Sequence, residues 1–548
     1  MAALAAALLM GATAATGAAS PAPLAAAPPG CATATPTVVH HAGGVPVDPA
    51  PDNRPEACAG ITGFGGSETR ISVTNTGAVI YEPAVTTPGP AGLGFLPEVP
   101  GLRFQTSASP AGLAVTHDDG ATWSFVRPAG LTWESQDHQG YVDRATGRFF
   151  FYALNANPIP QPGISPAEQP PGAEAHLLWT GDDGRTWVHT TACCPGLSEN
   201  PRFAAAVAPA GGEAPRGYPD VVYFCANNSI LLVSPAGARV CSASLDGGTT
   251  WTQRAILISK PVPQHPECGA SGEDFGPTDG NYPQPRPDGS LVVMVACGGK
   301  TFLARSSDEA ATWPILRDEH GGPLQIPNQD ELRTDSRGTL YGFRSDGARI
   351  LLRMSQDGGL TWSPELNVTA PGVTGVGVWS AAVREPGHVA VAYLGQTAGQ
   401  ATWDGYLTDT TSALEGLTTS GATVLASARL NDPTRPLMFG TSLQGTPSVL
   451  VDYVGADIGP DGTPWASFVQ DCGTSPSDQG CTAQDGQNRG FAGRFVAAAL
   501  AGSGPGPLGP PPSGRLPTTG GPPPLLPLGA VVLGAGASAR FLRRRSQT

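Results

Sequence analysis

Charge is scarce in this chain. Only 14% of its 548 residues are Asp, Glu, Lys or Arg, and 45 acidic side chains outnumber 31 basic ones, for a formal net charge of −14 and a pI near 5.1. A partner such as nucleic acid, whose counterions must be displaced by basic surface, is argued against by that balance. The ten cysteines show no zinc-ligand spacing, which argues against a thiolate metal centre. What is abundant is punctuation. Gly 73 and Pro 57 suit many short strands separated by turns, an all-β chain.

One eight-residue pattern recurs. SLDGGTTW spans Ser244 to Trp251, THDDGATW begins at Thr116, TGDDGRTW at Thr180, SSDEAATW at Ser306 and SQDGGLTW at Ser355. All read Ser/Thr-x-Asp-x-x-x-Thr-Trp, with Trp-to-Trp steps of 64, 64, 62 and 49 residues, so the repeat is spatial. Each copy makes sense as a hairpin turn. The Asp carboxylate accepts backbone N–H groups inside the turn, Gly supplies a positive φ, and the Trp folds back over the hairpin. At Ala310 the Gly is lost.

These copies resemble the Asp-box (BNR) repeat of sialidases and related β-propellers. The resemblance implies that the boxes lie between the two outer strands of a blade, on the face away from substrate. Asp118, Asp182, Asp246, Asp308 and Asp357 are then structural rather than catalytic. A second pattern, strand, tight Gly turn and strongly apolar strand, appears in YVDRATGRFFFYAL, YPQPRPDGSLVVMVA, LRTDSRGTLYGF, SAAVREPGHVAVAYL and GADIGPDGTPWASFV. Pairing it with the following box gives blades of four antiparallel strands. Seven are counted, starting near Glu68, Asp137, Pro201, Asn281, Glu331, Val378 and Asp452, with six as the alternative. A β-propeller over residues 60–500 is therefore expected, acting as a monomer.

The ends carry different signals. Residues 1–19 read as a secretory signal peptide without the usual positive n-region, and residues 20–59 as a Pro/Ala-rich linker. Residues 501–515 form a Gly/Pro spacer, and LPTTG follows at 516–520. A hydrophobic segment at 521–542 and a basic tail at 543–548 complete the chain. That end resembles a Gram-positive sortase sorting signal. The resemblance implies cleavage between Thr519 and Gly520, covalent linkage to peptidoglycan with sortase as a transient partner, and display on the outer cell surface. A plain C-terminal membrane anchor is the alternative. Export makes disulfides reasonable. Cys225 with Cys241, Cys268 with Cys297, Cys472 with Cys481, and Cys31 with Cys58 are the natural pairs, leaving Cys193 with Cys194, though sequence does not fix connectivity.

The sialidase resemblance also implies a site: arginines on a substrate carboxylate, a Tyr nucleophile with a Glu helper, and an Asp acid/base. Thr69-Arg70-Ile71-Ser72 half-matches the family's first arginine motif. Tyr453 and Glu331 are the nucleophile and helper candidates, Asp137 the acid/base, and Arg202 and Arg333 the options for the remaining arginines. The bland alternatives are an Arg70–Glu68 pair, a packed Tyr453 and a structural His138. Without the arginines, facing carboxylates would suggest other Asp-box hydrolases such as xyloglucanases. No cofactor is expected beyond a structural calcium on Asp274 and Asp279, for which no full loop motif exists. A glycan or glycoprotein is the expected ligand, bound either by an exo-glycosidase or by a non-catalytic adhesin.

Overall fold

The computed structural model describes residues 30–31, 33–35, 37–41, 56–64, 69–82, 112–126, 128, 136–154, 174–195, 198–228, 239–258, 265–271, 282–417, 423–439, 453–471 and 488–496. Seven antiparallel sheets form a ring, a seven-bladed β-propeller. Their inner strands are Arg70–Val73, Gln136–Val142, Ser198–Ala206, Gln284–Pro285, Glu331–Thr334, Val373–Val383 and Gly455–Ile458. Each touches the next in chain order, and the seventh touches the first.

The apolar runs explain why the ring closes around sheets rather than around a single core. Among the described residues there are seven hydrophobic clusters, one at each blade–blade interface. Along the second strand of blade 2, Phe149 and Phe151 pack toward blade 1, while Phe150 and Tyr152 pack toward blade 3. Leu291, Val293 and Val295 likewise face blade 3, and Val292 and Met294 face blade 5. A strand buried on both faces has no polar side to alternate with, so FFFY and LVVMV read as unbroken apolar runs.

Closure uses the chain's N-terminal part. Residues 20–59, expected to be a linker, supply strands Thr33–Thr35 and Val38–His41 and most of Ala57–Ile61. Ala57–Ile61 is the fourth strand of blade 7, paired with Asn488–Phe495, and Thr33–Thr35 adds outside it. Val38–His41 adds to the outer edge of blade 6. The physical reason is that an unfilled outer position leaves a row of unpaired backbone groups and an uncovered apolar face. The Cys31–Cys58 disulfide, with a sequence separation of 27, pins this segment. Such a loop contributes about 3–4 kcal/mol in the chain-entropy account. Cys225–Cys241 and Cys268–Cys297 are also formed. The side chains of Cys193 and Cys194, and all of Cys472, Cys481 and residues 501–548, lie outside the described residues.

All five Ser/Thr-x-Asp repeats are turns between the third and fourth strands of blades 1 to 5. In the third copy Asp246 Oδ1 accepts Thr250 N–H at 2.8 Å, Asp246 Oδ2 accepts the Thr250 hydroxyl at 2.6 Å, and Gly248 N–H donates to Ser244 Oγ at 2.7 Å. The other copies repeat these bonds. The tryptophan indoles of the last four copies donate to the carbonyl three residues back. Two consecutive residues, not one, are left-handed: Asp119 (φ 57) before Gly120, Asp183 (φ 57) before Gly184, and Glu309 (φ 57) before Ala310 (φ 63). The turns also join blades, as when Thr76 of blade 1 donates to Asp183 of blade 2 at 2.9 Å.

Candidate functional site

Each innermost strand presents a free backbone edge to the central channel, and those edges attract polar side chains from other blades. Asp457 accepts Val73 N–H at 2.8 Å, Glu82 accepts Gly140 N–H at 2.6 Å, and the Tyr141 hydroxyl accepts Ala205 N–H at 3.0 Å. Arg144 and Arg384 donate to the Val383 and Ile458 carbonyls at 3.0 and 2.9 Å. The channel is thus lined with ionic and phenolic groups held by backbone. The candidate residues sit at the other end of the same strands, where each strand begins.

Blade 5 supplies the centre. Glu331 is buried and paired with Arg333, and it accepts Ala381 N–H of blade 6 at 3.4 Å. Arg333 donates through Nε to the Ala381 carbonyl at 3.0 Å. Burial raises the Glu331 carboxyl above the ordinary range. The charge of Arg333, the Ala381 N–H and the charges of Arg202 and Arg70 oppose that rise without cancelling it. Of these guanidinium groups, that of Arg333 is in direct contact with the carboxyl.

Arg70 opens the inner strand of blade 1 and lies over the Tyr453 ring, 3.8 Å from its centroid. Its buried Nε has no hydrogen-bond partner among the described residues. Tyr453, two residues ahead of the blade 7 strand, is 9% exposed. Arg202 donates to Gln139 of blade 2 and to the hydroxyl of Tyr282, just ahead of the blade 4 strand. Its guanidinium carbon lies 3.7 Å from the Tyr282 ring centroid, and that of Arg333 lies 5.4 Å from the same ring. Trp379 of blade 6 packs against Phe343 at 6.3 Å. Three inner strands are irregular at this end, between Gln136 and Gln139, Glu199 and Arg202, and Val376 and Trp379. Bulges re-aim side chains, and the residues that end these three are Gln139, Arg202 and Trp379.

Of the residues expected from sequence, Arg70, Arg202, Arg333, Glu331 and Tyr453 share this end of the channel. Asp137 and His138 lie in the blade 2 inner strand, beside Gln139, and their side chains are outside the described residues. Asp274, Asp279, Asp452 and Glu68 are also outside them. Asp330 turns into its own blade and accepts Ser345 N–H at 2.8 Å. Among the described residues no group of three or more His, Cys, Asp or Glu is arranged to hold a metal ion.

Two residues were missed in the sequence. Tyr282 stands two residues ahead of the blade 4 inner strand, beside the expected blade start near Asn281. Gln139 was hidden by the irregular register that precedes it. Behind Arg70 sits a third, Glu82. Burial pushes its carboxyl up to about 7, against the Ser72 hydroxyl at 2.6 Å, the Gly140 N–H and the charge of Arg70.

No family model and no curated protein matches the chain. Solved structures do. A Hadza microbial sialidase is 17% identical, with 67% of this chain and 66% of that chain covered and a TM-score of 0.36. The NanB sialidase of Streptococcus pneumoniae is 14% identical, covering 80% of this chain and 69% of that one, with a TM-score of 0.33. A protein of unknown function from Dyadobacter fermentans is 12% identical, covering 80% and 97%, with a TM-score of 0.35. Similarity this remote carries no argument about the site, so the chemistry has to come from the residues.

Proposed function

We propose that the funnel binds a carboxylate-bearing sugar and hydrolyses its glycosidic bond as an exo-glycosidase of sialidase type, displayed on the cell wall through the LPTTG signal. The observation that carries this reading is the meeting of Arg202 and Arg333 on the Tyr282 ring, with Arg333 paired to buried Glu331 and Tyr453 under Arg70. Planar guanidinium groups match a carboxylate in geometry and charge. In this reading Tyr453 Oη attacks the anomeric carbon while Glu331 takes the phenol proton. Asp137 protonates the departing oxygen, and water then displaces the tyrosine. A Glu with a raised pKa suits that task, because a stronger base takes a phenol proton more readily.

A second reading is a non-catalytic glycan-binding surface protein. It is favoured by the partners the guanidiniums already have: Arg333 is engaged by Glu331 and backbone, and Arg202 by Gln139 and Tyr282. The deciding experiment is release of fluorophore from a fluorogenic α-sialoside. Hydrolysis is expected from the protein, with Tyr453→Phe lowering kcat by about 100-fold or more. No turnover, together with measurable binding of the same sugar, would select the adhesin reading.

A further inference from the structure

Tyr282 has no role in the chemistry proposed above, yet it is where two of the three arginines meet. Its side chain is 6% exposed. Its hydroxyl accepts from Arg202, and its ring lies against the Arg202 and Arg333 guanidiniums at 3.7 and 5.4 Å. Gln139 accepts from the other terminal nitrogen of Arg202. Blades 3, 4 and 5 thus meet on one aromatic ring, and blade 2 joins them through Gln139 on Arg202. Two guanidiniums drawn toward one point repel each other, and the repulsion is stronger in a buried site than in water. An aromatic face attracts a cation through its quadrupole. A tyrosine beside two cations therefore offsets their repulsion, and its hydroxyl fixes the rotation of one of them.

We infer that Tyr282, assisted by Gln139, is the positioning residue of the anion-binding half of the site: it sets Arg202 at a fixed orientation beside Arg333, so that the pair meets one ligand carboxylate. The inference rests on the carboxylate-sugar reading of the same funnel and goes beyond it by assigning where discrimination for the charged group resides. Tyr282 touches arginines and not the reacting atoms, so its loss acts on recognition of the ligand's charge. Tyr282→Phe keeps the ring and removes the oxygen, while Tyr282→Leu removes both. Gln139→Ala removes the second acceptor and leaves the ring in place.

Titration calorimetry with N-acetylneuraminic acid and with its methyl ester separates the possibilities, because the ester keeps the sugar and loses the charge. The unsubstituted protein is expected to bind the acid more tightly than the ester by about tenfold or more, the worth of a charge-assisted hydrogen bond. Tyr282→Phe and Gln139→Ala should each lower that acid-to-ester ratio about threefold or more through weaker acid binding alone, and Tyr282→Leu should bring it near one. A merely structural role would move the thermal midpoint and leave the ratio alone. Folded Tyr282→Phe and Gln139→Ala proteins that keep the full ratio would overturn the inference, even if Tyr282→Leu does not fold. A ratio of one in the unsubstituted protein would instead remove the carboxylate reading itself, and the inference with it.

Discussion

At the scale of single residues, the inner-strand ends show how one physical demand generates most of the polar chemistry in the channel. Unpaired N–H and C=O groups on seven free edges require partners, and Asp457, Glu82, Tyr141, Glu331, Arg333, Arg144 and Arg384 supply them. Glu82 gives the clearest titration. Burial raises its folded-state pKa to about 7 from an ordinary value of 4.5. A raised carboxyl contributes its full stability below 4.5 and loses it as pH rises through 7. Glutamine has no proton to lose. The thermal midpoint of Glu82→Gln relative to the unsubstituted protein should therefore rise between pH 5 and pH 8, and a difference that stays flat across that range would refute the assignment. Gly140 belongs to the same contact, since a Cβ there would overlap the Glu82 carboxylate.

The recurring turn shows what an element can and cannot reveal in sequence. The Asp, the Thr hydroxyl and the Trp are legible because each is chemically required and chemically distinctive. The other left-handed residue is not legible, since Asp or Gly stands before the glycine and Glu309 before Ala310. The five Asp carboxyls are held below the usual carboxylate range. For Asp118 the Thr122 hydroxyl is the main cause, and for the others burial is outweighed by threonine hydroxyl and backbone N–H bonds. Glycine is not equally replaceable in every copy. Ala310 is accommodated at φ 63, but at Gly359 φ is 99 and an added Cβ would overlap Leu303. Gly359→Ala should therefore cost about 2 kcal/mol or more, from a left-handed alanine and an overpacked contact together. Denaturant titration measures it, and a change below about 0.5 kcal/mol would show that the turn relaxes freely.

For the whole molecule, blade number was readable because spacing, apolar runs and Gly turns all repeat with the same period, and the blade starts fall within a few residues of the inner strands. The closing strands were not readable. Ala57–Ile61, VVHH and Thr33–Thr35 are short, lie in Pro/Ala-rich surroundings and have no turn motif to mark them. Ala57–Ile61 and Val38–His41 pair with strands hundreds of residues away, and Thr33–Thr35 adds only onto Ala57–Ile61. The candidate site was half legible. Arg70 and Glu331 open their strands and Tyr453 stands two residues ahead of its own, under Arg70, while Gln139 follows an irregular register that sequence does not mark. The proposed function requires that Arg70 and Arg202, about 130 positions apart in sequence and on the inner strands of blades 1 and 3, act on one ligand carboxylate. A double-mutant cycle on N-acetylneuraminic acid binding, using Arg70→Ala, Arg202→Ala and the pair, tests it directly. Shared contact predicts a coupling energy of about 1 kcal/mol or more; losses that add to within about 0.5 kcal/mol, or no loss in either single variant, would contradict it.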